Sequence, residues 1–372
     1  MAKARILIGS ASFDERSNYQ EVVFAKALTR LGYDVLVVSA IVKSGPGETG
    51  PRGYRIAKVE KYIRIRDTFF ACRGLDRIVA DFKPDAAFLL APNHGLPYAL
   101  LEHLPAACKV VPYFGDLRES HVIKGGKWLS RRGNPVIKRF LKDRWYRALL
   151  HRADLIVPCT NETQRILEEV DAESLRGKVL MRSLAVDPSD FFYDPSLRSP
   201  NDGLRTIITV TRIDPLKPVK EWTAPVLAWL RQNPGWRYVL GGLPPGTEGA
   251  RLKAELEAPD LGDRFRLLGR LTAEEINRLY NNADLAIWFL AAIGIQQSMI
   301  TGLPVLLPAH NALDHLVNPG VNGLYYSSSG DIPSRLSEAA AISWDRAAVA
   351  KRNEGLSANV LLKSVLDRIG IP

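Results

Sequence analysis

The chain has 372 residues, 46% of them hydrophobic and 24% charged, with a formal net charge of +10. That length exceeds one ordinary core and implies two domains, and the composition excludes a disordered or fibrous chain. The apolar run Leu285–Ile295 is shorter than the about 20 residues a bilayer-spanning helix needs, and the opening MAKARILIGS holds too short an apolar run for a secretory signal.

In chain order, residues 4–10 (ARILIGS) form the first predicted strand. Residues 19–32 follow with a helical pattern that places Val22, Val23, Ala25, Leu28 and Leu31 near one face and Gly32 at the C-cap. Further strands are predicted at 34–40, 85–91, 109–114, 154–160 and 179–183. These runs are continuously apolar, as strands covered on both faces are. Short strands alternating with longer helices imply βαβ units and a parallel sheet. Cys72, Cys108 and Cys159 are widely spaced and outside any Cys/His cluster, so they read as reduced, buried thiols and not as a zinc site.

Ten basic residues and one acid, Asp143, lie between residues 120 and 152, so this segment carries most of the chain's excess charge. It mixes Lys124, Lys127, Arg131, Arg132, Lys138, Arg139, Lys142 and Arg144 with Trp128, Phe140 and Trp145, and Pro135 suits the first turn of a helix. Basic residues interleaved with aromatic ones are the pattern of a segment lying on an anionic membrane surface; nucleic acid is the competing reading, and a surface helix with its aromatics in the core is the third.

Residues 186–203 (VDPSDFFYDPSLRSPNDG) read as a linker. A second alternating series then begins, with strands predicted at 204–212, 237–242, 265–269, 284–289, 304–308 and 323–326. No GxGxxG follows the first strand and no GxxxxGK[ST] occurs, so neither a dinucleotide oxidoreductase nor a P-loop enzyme is supported.

Ligands of open α/β sheets sit at the C-terminal ends of strands, against helix N-termini. Four segments of the second series fit that position. VTRIDPLKP (210–218) brings Arg212 and Lys217 directly after a strand, where two cations can clamp an anion; a solvated loop is the alternative. LGGLPPGTEG (240–249) is a tight turn. In 265–288 a strand ends at Gly269, Thr272 and Glu275 form a capping box, and the backbone is placed to pair with a base edge. In IGIQQSMITGLPVLLP (293–308), Gly294 begins a helix whose dipole end favours phosphate, Gln296 and Gln297 lie in its first turn, Gly302 ends it and Pro304 launches a strand.

Read together, these segments resemble the retaining glycosyltransferases of family 4. The family's G-R-L-x-x-x-K-G loop is TRIDPLKP here, its V-x-x-G-x-G turn is VLGGLPPG, its F-x-G strand with E-E-L-x-x-x-Y is FRLLGRLTAEEINRLY, and its E-A-M-x-x-G-x-P-V is QSMITGLPV. VNPGVNGLYY and the N-terminal FAKALTRLGYDVLVVS also follow family patterns, so the likeness covers most of the chain. The resemblance implies the GT-B fold: two Rossmann-like parallel-sheet domains facing a central cleft. It divides the chain into an acceptor-binding domain at 1–185, a linker at 186–203, a nucleotide-sugar-binding domain at 204–345, and a C-terminal helix at 346–372 that packs back on the first domain.

It further implies a nucleotide-sugar donor, a saccharide or lipid-linked acceptor, retention of configuration, and no metal or other cofactor. Arg212 and Lys217 would hold the diphosphate and stabilise the leaving group, with Gly242, Leu268, Gly294, Ile295, Gln296 and Gln297 completing the donor site. Ser17, Asn18, His94 and Asp116 would form the acceptor side, Asp116 orienting the acceptor hydroxyl or the sugar. The expected setting is cytoplasmic, peripheral on a membrane, without nucleic acid. Departures from the family are plain. Of its paired glutamates, E-x7-E, the second is Gln297, and the first falls at Phe289, or near Ala291–Ala292 if the loop is shortened. Glu15-Arg16 stands where the family has Gly-Gly, and Gly115-Asp116 where it has an acceptor-side histidine. An epimerase of the same fold and a non-catalytic nucleotide-sugar-binding protein are the rival readings.

Overall fold

The computed structural model describes residues 3–43, 53–65, 68–90, 92, 94–115, 135–199, 203–213, 217–310 and 312–372, leaving out the side chains of 64, 65, 68–70 and 135–142. The chain divides into two compact units, Met1–Asp187 with Ala358–Pro372, and Pro188–Ser357.

In the first unit the alternation of apolar runs with amphipathic stretches yields β1 (Arg5–Asp14), α1 (Gln20–Arg30), β2 (Asp34–Lys43), β3 (Arg55–Lys58), the hairpin β4 (Lys61–Ile65) and β5 (Thr68–Arg73), α2 (Leu75–Phe82) and β6 (Ala86–Leu90). There follow α3 (Gly95–Leu101), β7 (Lys109–Phe114), α4 (Pro135–Arg152), β8 (Val157–Pro158) and α5 (Asn161–Leu175). The sheet order is β3-β2-β1-β6-β7-β8, every pair parallel. Period-two alternation sends Ile6 and Ile8 into one core and Leu7 into the other, so both faces are covered and the strand must be apolar throughout.

The second unit repeats this plan with β9 (Arg205–Val210), α6 (Val219–Gln232), β10 (Trp236–Gly241), α7 (Gly246–Leu256), β11 (Phe265–Leu268), α8 (Ala273–Asn282) and β12 (Leu285–Ile287). It continues through α9 (Ile293–Ile300), β13 (Val305–Pro308), β14 (Gly323–Tyr326), α10 (Ile332–Ala341) and α11 (Arg346–Arg352). Its sheet order is β11-β10-β9-β12-β13-β14, again all parallel. With the β4–β5 hairpin set aside, each unit therefore has the doubly wound order of a Rossmann sheet, reversing direction beside its first strand.

Several expectations change in detail. The hairpin is absent from the sequence reading. Residues 179–183 form no named strand. They run beside β8 through Leu180 N to Ile156 O (2.9 Å) and Arg182 N to Pro158 O (3.1 Å), and only Ile156 and Val179 make a bridge. The segment read as a linker is largely stitched to α8. Phe192 N and Asp194 N donate to the Asn277 and Asn281 side chains (3.1 and 2.9 Å), Ser199 N donates to Asn282 (2.6 Å), and Arg198 pairs with Asp284 (2.6 Å). Pro, Asp and Ser mark a segment without regular structure, and such a segment can still be held by side-chain amides.

The C-terminal stretch also divides differently from 346–372. Arg346 stays in the second unit, its buried guanidinium donating to the carbonyls of Tyr280, Ala283 and Thr301. The chain enters the first unit at Ala358, whose N–H donates to Val186 O (2.8 Å), and α12 (Ala358–Ile369) joins the core beneath α1. Among the described residues no helix is long and apolar enough to cross a membrane.

Candidate functional site

In the second unit the sheet reverses direction between β9 and β12, which lie side by side with Thr209 Oγ1 donating to Ile287 O (2.6 Å). Ligand crevices in such sheets open at that reversal, past the C-terminal strand ends. The loop leaving β9 carries Arg212 and Lys217, and the loop leaving β12 feeds α9. Adjacent strands thus bring the predicted cations and the predicted helix turn to the same end of one sheet.

Arg212 is exposed, and Lys217 folds over its own loop, with Nζ 2.7 Å from Arg212 O and 3.2 Å from Thr211 Oγ1. The loop is clamped from below. Ile213 N donates to Gly242 O (3.0 Å), and Gly242 N donates to both Leu268 O and Gly269 O (3.1 Å each). Gly242 has φ +113°, and a Cβ there would lie 2.0 Å from Thr211 O, so glycine is required for the cationic loop to rest where it does. Leu268 O also accepts from Leu243 N (3.1 Å). With both lone pairs of that carbonyl engaged, the base-edge role expected of Leu268 does not fit this oxygen; its contribution is to hold the turn.

All of α9 from Gly294 onward is buried, including Gln296 (4% exposed), Gln297 (8%) and Ser298 (0%). Ala292 precedes it without a side-chain cap, and Ile295 N donates to Ala292 O (3.1 Å). The Gln297 side chain makes no hydrogen bond among the described residues, and its amide atoms are not among the polar atoms shut off from solvent. Gly294 has a packing reason. A Cβ there would lie 2.2 Å from Trp288 Cη2, so the glycine admits the Trp288 ring beneath the helix, whatever approaches from outside. One aromatic pair was passed over in the sequence, where Phe289 entered only as the position of the family's first glutamate. Trp222 in the first turn of α6 stacks on Phe289, ring centroids 5.7 Å apart and planes 9° from parallel. The predicted strand 284–289 hid this, because β12 stops at Ile287 and Phe289 turns off the sheet.

In the first unit the reversal lies between β1 and β6. Ser17 and Asn18 follow β1, and His94 lies between β6 and α3. Ser17 braces its own turn, donating from Oγ to Asp14 O (2.7 Å) and accepting from Tyr19 N (3.4 Å). Asn18 and His94 are half-buried, with His94 directly before α3. Glu15 is buried and accepts a hydrogen bond from Tyr54 OH (3.1 Å). Asp116, Lys124, Lys127, Trp128, Arg131 and Arg132 lie outside the described residues, as do the side chains of Lys138, Arg139 and Lys142 on α4. Arg144 is exposed, whereas Trp145 (6% exposed) and Tyr146 (3%) are core, against Tyr98 and Phe114. Trp145 therefore leaves the basic-aromatic face on which the sequence placed it. No group of three or more His, Cys, Asp or Glu among the described residues is arranged to hold a metal ion.

Beside Ser17, the first turn of α1 buries Glu21. Burial pushes its carboxyl up to about 7, Asp14's charge adds to this, and a hydrogen bond with its own backbone opposes it. The unfolded value is near 4.5, so the neutral form's stabilisation is complete below that pH and is lost as pH rises through 7. Ionising it at pH 8 costs about 3 kcal/mol. Glu21→Gln is therefore expected to be more stable than the parent at pH 8 by up to about 3 kcal/mol, with the advantage gone near pH 4.5, in urea titrations at both pH values. Equal gains at both pH values would mean the carboxyl is not the cause.

Against known proteins, the family described as glycosyl transferase 4-like domain matches residues 23–181, and the one described as glycosyl transferases group 1 matches 205–343. The amylovoran biosynthesis glycosyltransferase AmsK of Erwinia amylovora is 24% identical over 271 residues, 68% of this chain and 61% of AmsK, so the match spans less than two thirds of that relative. Sucrose-phosphate synthase of Thermosynechococcus elongatus superposes with a TM-score of 0.64 at 15% identity, covering 99% of this chain and 97% of the other. HepE of Anabaena, solved with UDP and glucose, superposes at 0.62 with 14% identity, covering 97% and 99%.

Proposed function

The chain belongs to the GT-B glycosyltransferases, a 4-like domain preceding a group 1 domain, and on that premise we propose that it moves a sugar from a nucleotide-sugar donor to a saccharide or lipid-linked acceptor in cell-surface polysaccharide or glycolipid synthesis. The observation that carries this reading is the meeting of the Arg212–Lys217 loop and the start of α9 at the reversal of the second sheet. The names of AmsK, an amylovoran biosynthesis glycosyltransferase, and of HepE, solved with UDP and glucose, support it.

In the proposed reaction the bond from the sugar C1 to the diphosphate oxygen breaks, and its electron pair leaves with the nucleoside diphosphate. Arg212 and Lys217 neutralise the charge that develops there, in place of a metal ion. A bond forms from C1 to the acceptor oxygen on the same face, and the departing phosphate takes the acceptor's proton. Gln297 replaces a carboxylate that would accept from ribose hydroxyls; its amide oxygen accepts as well, with bonds about half as strong. Asp116 orients the acceptor hydroxyl or the sugar, with Asn18 and His94 on the acceptor side.

Incubating the protein with nucleotide sugars, acceptor and EDTA, and reading the anomeric configuration of the product by NMR, tests this scheme. Transfer with retention is expected. Inversion, or a strict demand for added metal, would overturn the mechanism; an isomerised donor formed without acceptor would make the protein an epimerase. The basic segment 120–152 is assigned to an anionic membrane face, and failure to sediment with anionic vesicles at low salt would remove that assignment.

A further inference from the structure

The loop that joins β12 to α9 has an unusual makeup for the wall of a sugar site. After Phe289 the chain runs Leu290, Ala291, Ala292 and then Ile293, which opens the helix. None of these side chains holds a hydrogen-bonding atom. They are not fully buried: Leu290 is 40% exposed, Ala291, Ala292 and Ile293 are half-buried, and Phe289 is half-buried against the core of the second unit. The stack of Phe289 on Trp222 brings this apolar loop to the first turn of α6, the helix that follows the cationic loop.

A donor whose diphosphate rests on Arg212 and Lys217 therefore offers its sugar to a wall that is apolar on one side. A hydroxyl turned to those side chains would lose its water and find no side-chain partner there, only the main-chain N–H groups at the start of α9. A methyl there would gain contact and expose nothing polar. Resting on the donor-site reading above, we propose that the transferred sugar carries a methyl-bearing position where a common hexose has a bare hydroxyl, as in a 6-deoxyhexose or an N-acetylated amino sugar, and that Phe289 and Leu290 select for it.

The test uses the full chain. Calorimetry with UDP, GDP and dTDP first identifies the nucleotide that binds. Donors sharing that nucleotide and differing in the sugar are then compared by kcat/KM: a hexose, its 6-deoxy form, its N-acetylamino form and its uronate. One methyl-bearing donor is expected to exceed the plain hexose by about 10- to 100-fold, the size of discrimination that an apolar wall can give. Which of the two wins names the substituent. Leu290→Gln, at an exposed position, is expected to narrow the gap while leaving nucleoside diphosphate affinity unchanged. If a nucleotide binds but the hexose or the uronate is used as well as the methyl-bearing donors, this inference is wrong and the donor site stands. If none of the three nucleotides binds, the donor site itself is wrong and the inference falls with it.

Discussion

Arg212→Ala and Lys217→Ala are each expected to lower kcat/KM for sugar transfer by about 10²–10³ while the protein stays folded, because one preorganised contact to developing charge is worth about 3–4 kcal/mol in the barrier. Arg212 is exposed. Lys217 also ties its loop to Arg212 O and Thr211 Oγ1, so its alanine variant loses both charge and a brace. Arg212→Lys separates the two effects. It keeps the charge and gives up the planar fork, so a partial loss, smaller than that of alanine, is expected. Initial rates on variants whose melting temperatures match the parent decide the matter; rates within about threefold of the parent would remove both residues from the leaving-group site.

Gly242→Ala has the second large effect, and it acts through the backbone. The new methyl would overlap Thr211 O at 2.0 Å and the Thr211 carbonyl carbon at 2.8 Å, at φ +113°, where side-chain-bearing residues are strained. The overlap is with main chain, which cannot rotate aside, so the loop carrying Arg212 must lift. A stability loss of about 3 kcal/mol or more is expected, together with a fall in transfer beyond what unfolding explains. Gly235→Ala is the control. Nothing lies within 4 Å of its would-be Cβ, and its stability is expected to stay within about 0.5 kcal/mol of the parent. Denaturant titration of the two variants side by side gives the answer, and equal small effects would mean the clamp over the turn is not rigid.

Much of the fold was legible because burial on both faces leaves a coarse mark. β7 and β14 begin and end where the apolar runs KVVPYF and GLYY do, and the Thr272–Glu275 capping box forms as its spacing requires. The site was legible only in part. Arg212 and Lys217 could be singled out as candidates because they directly follow an apolar strand, though a solvated loop has the same sequence pattern. Glu21 did not, because a glutamate in a first helical turn is ordinary until its surroundings are known to be apolar. Trp222 and Phe289 did not, because they are 67 residues apart and each alone fits a core pattern.

What the sequence determined by itself was the alternation of strands and helices, the presence of two parallel sheets, and the positions where cations leave a strand. These follow from local periodicity and turn chemistry, which act over a few residues. Only the tertiary structure decided that residues 188–199 belong with α8, that the expected return to the first unit begins at Ala358 and not at residue 346, and that Gly242 and Gly294 are glycines because Thr211 O and Trp288 occupy the space a side chain would need. Those outcomes depend on close contact between segments far apart in the chain, and a contact of that kind leaves no periodic trace in either segment.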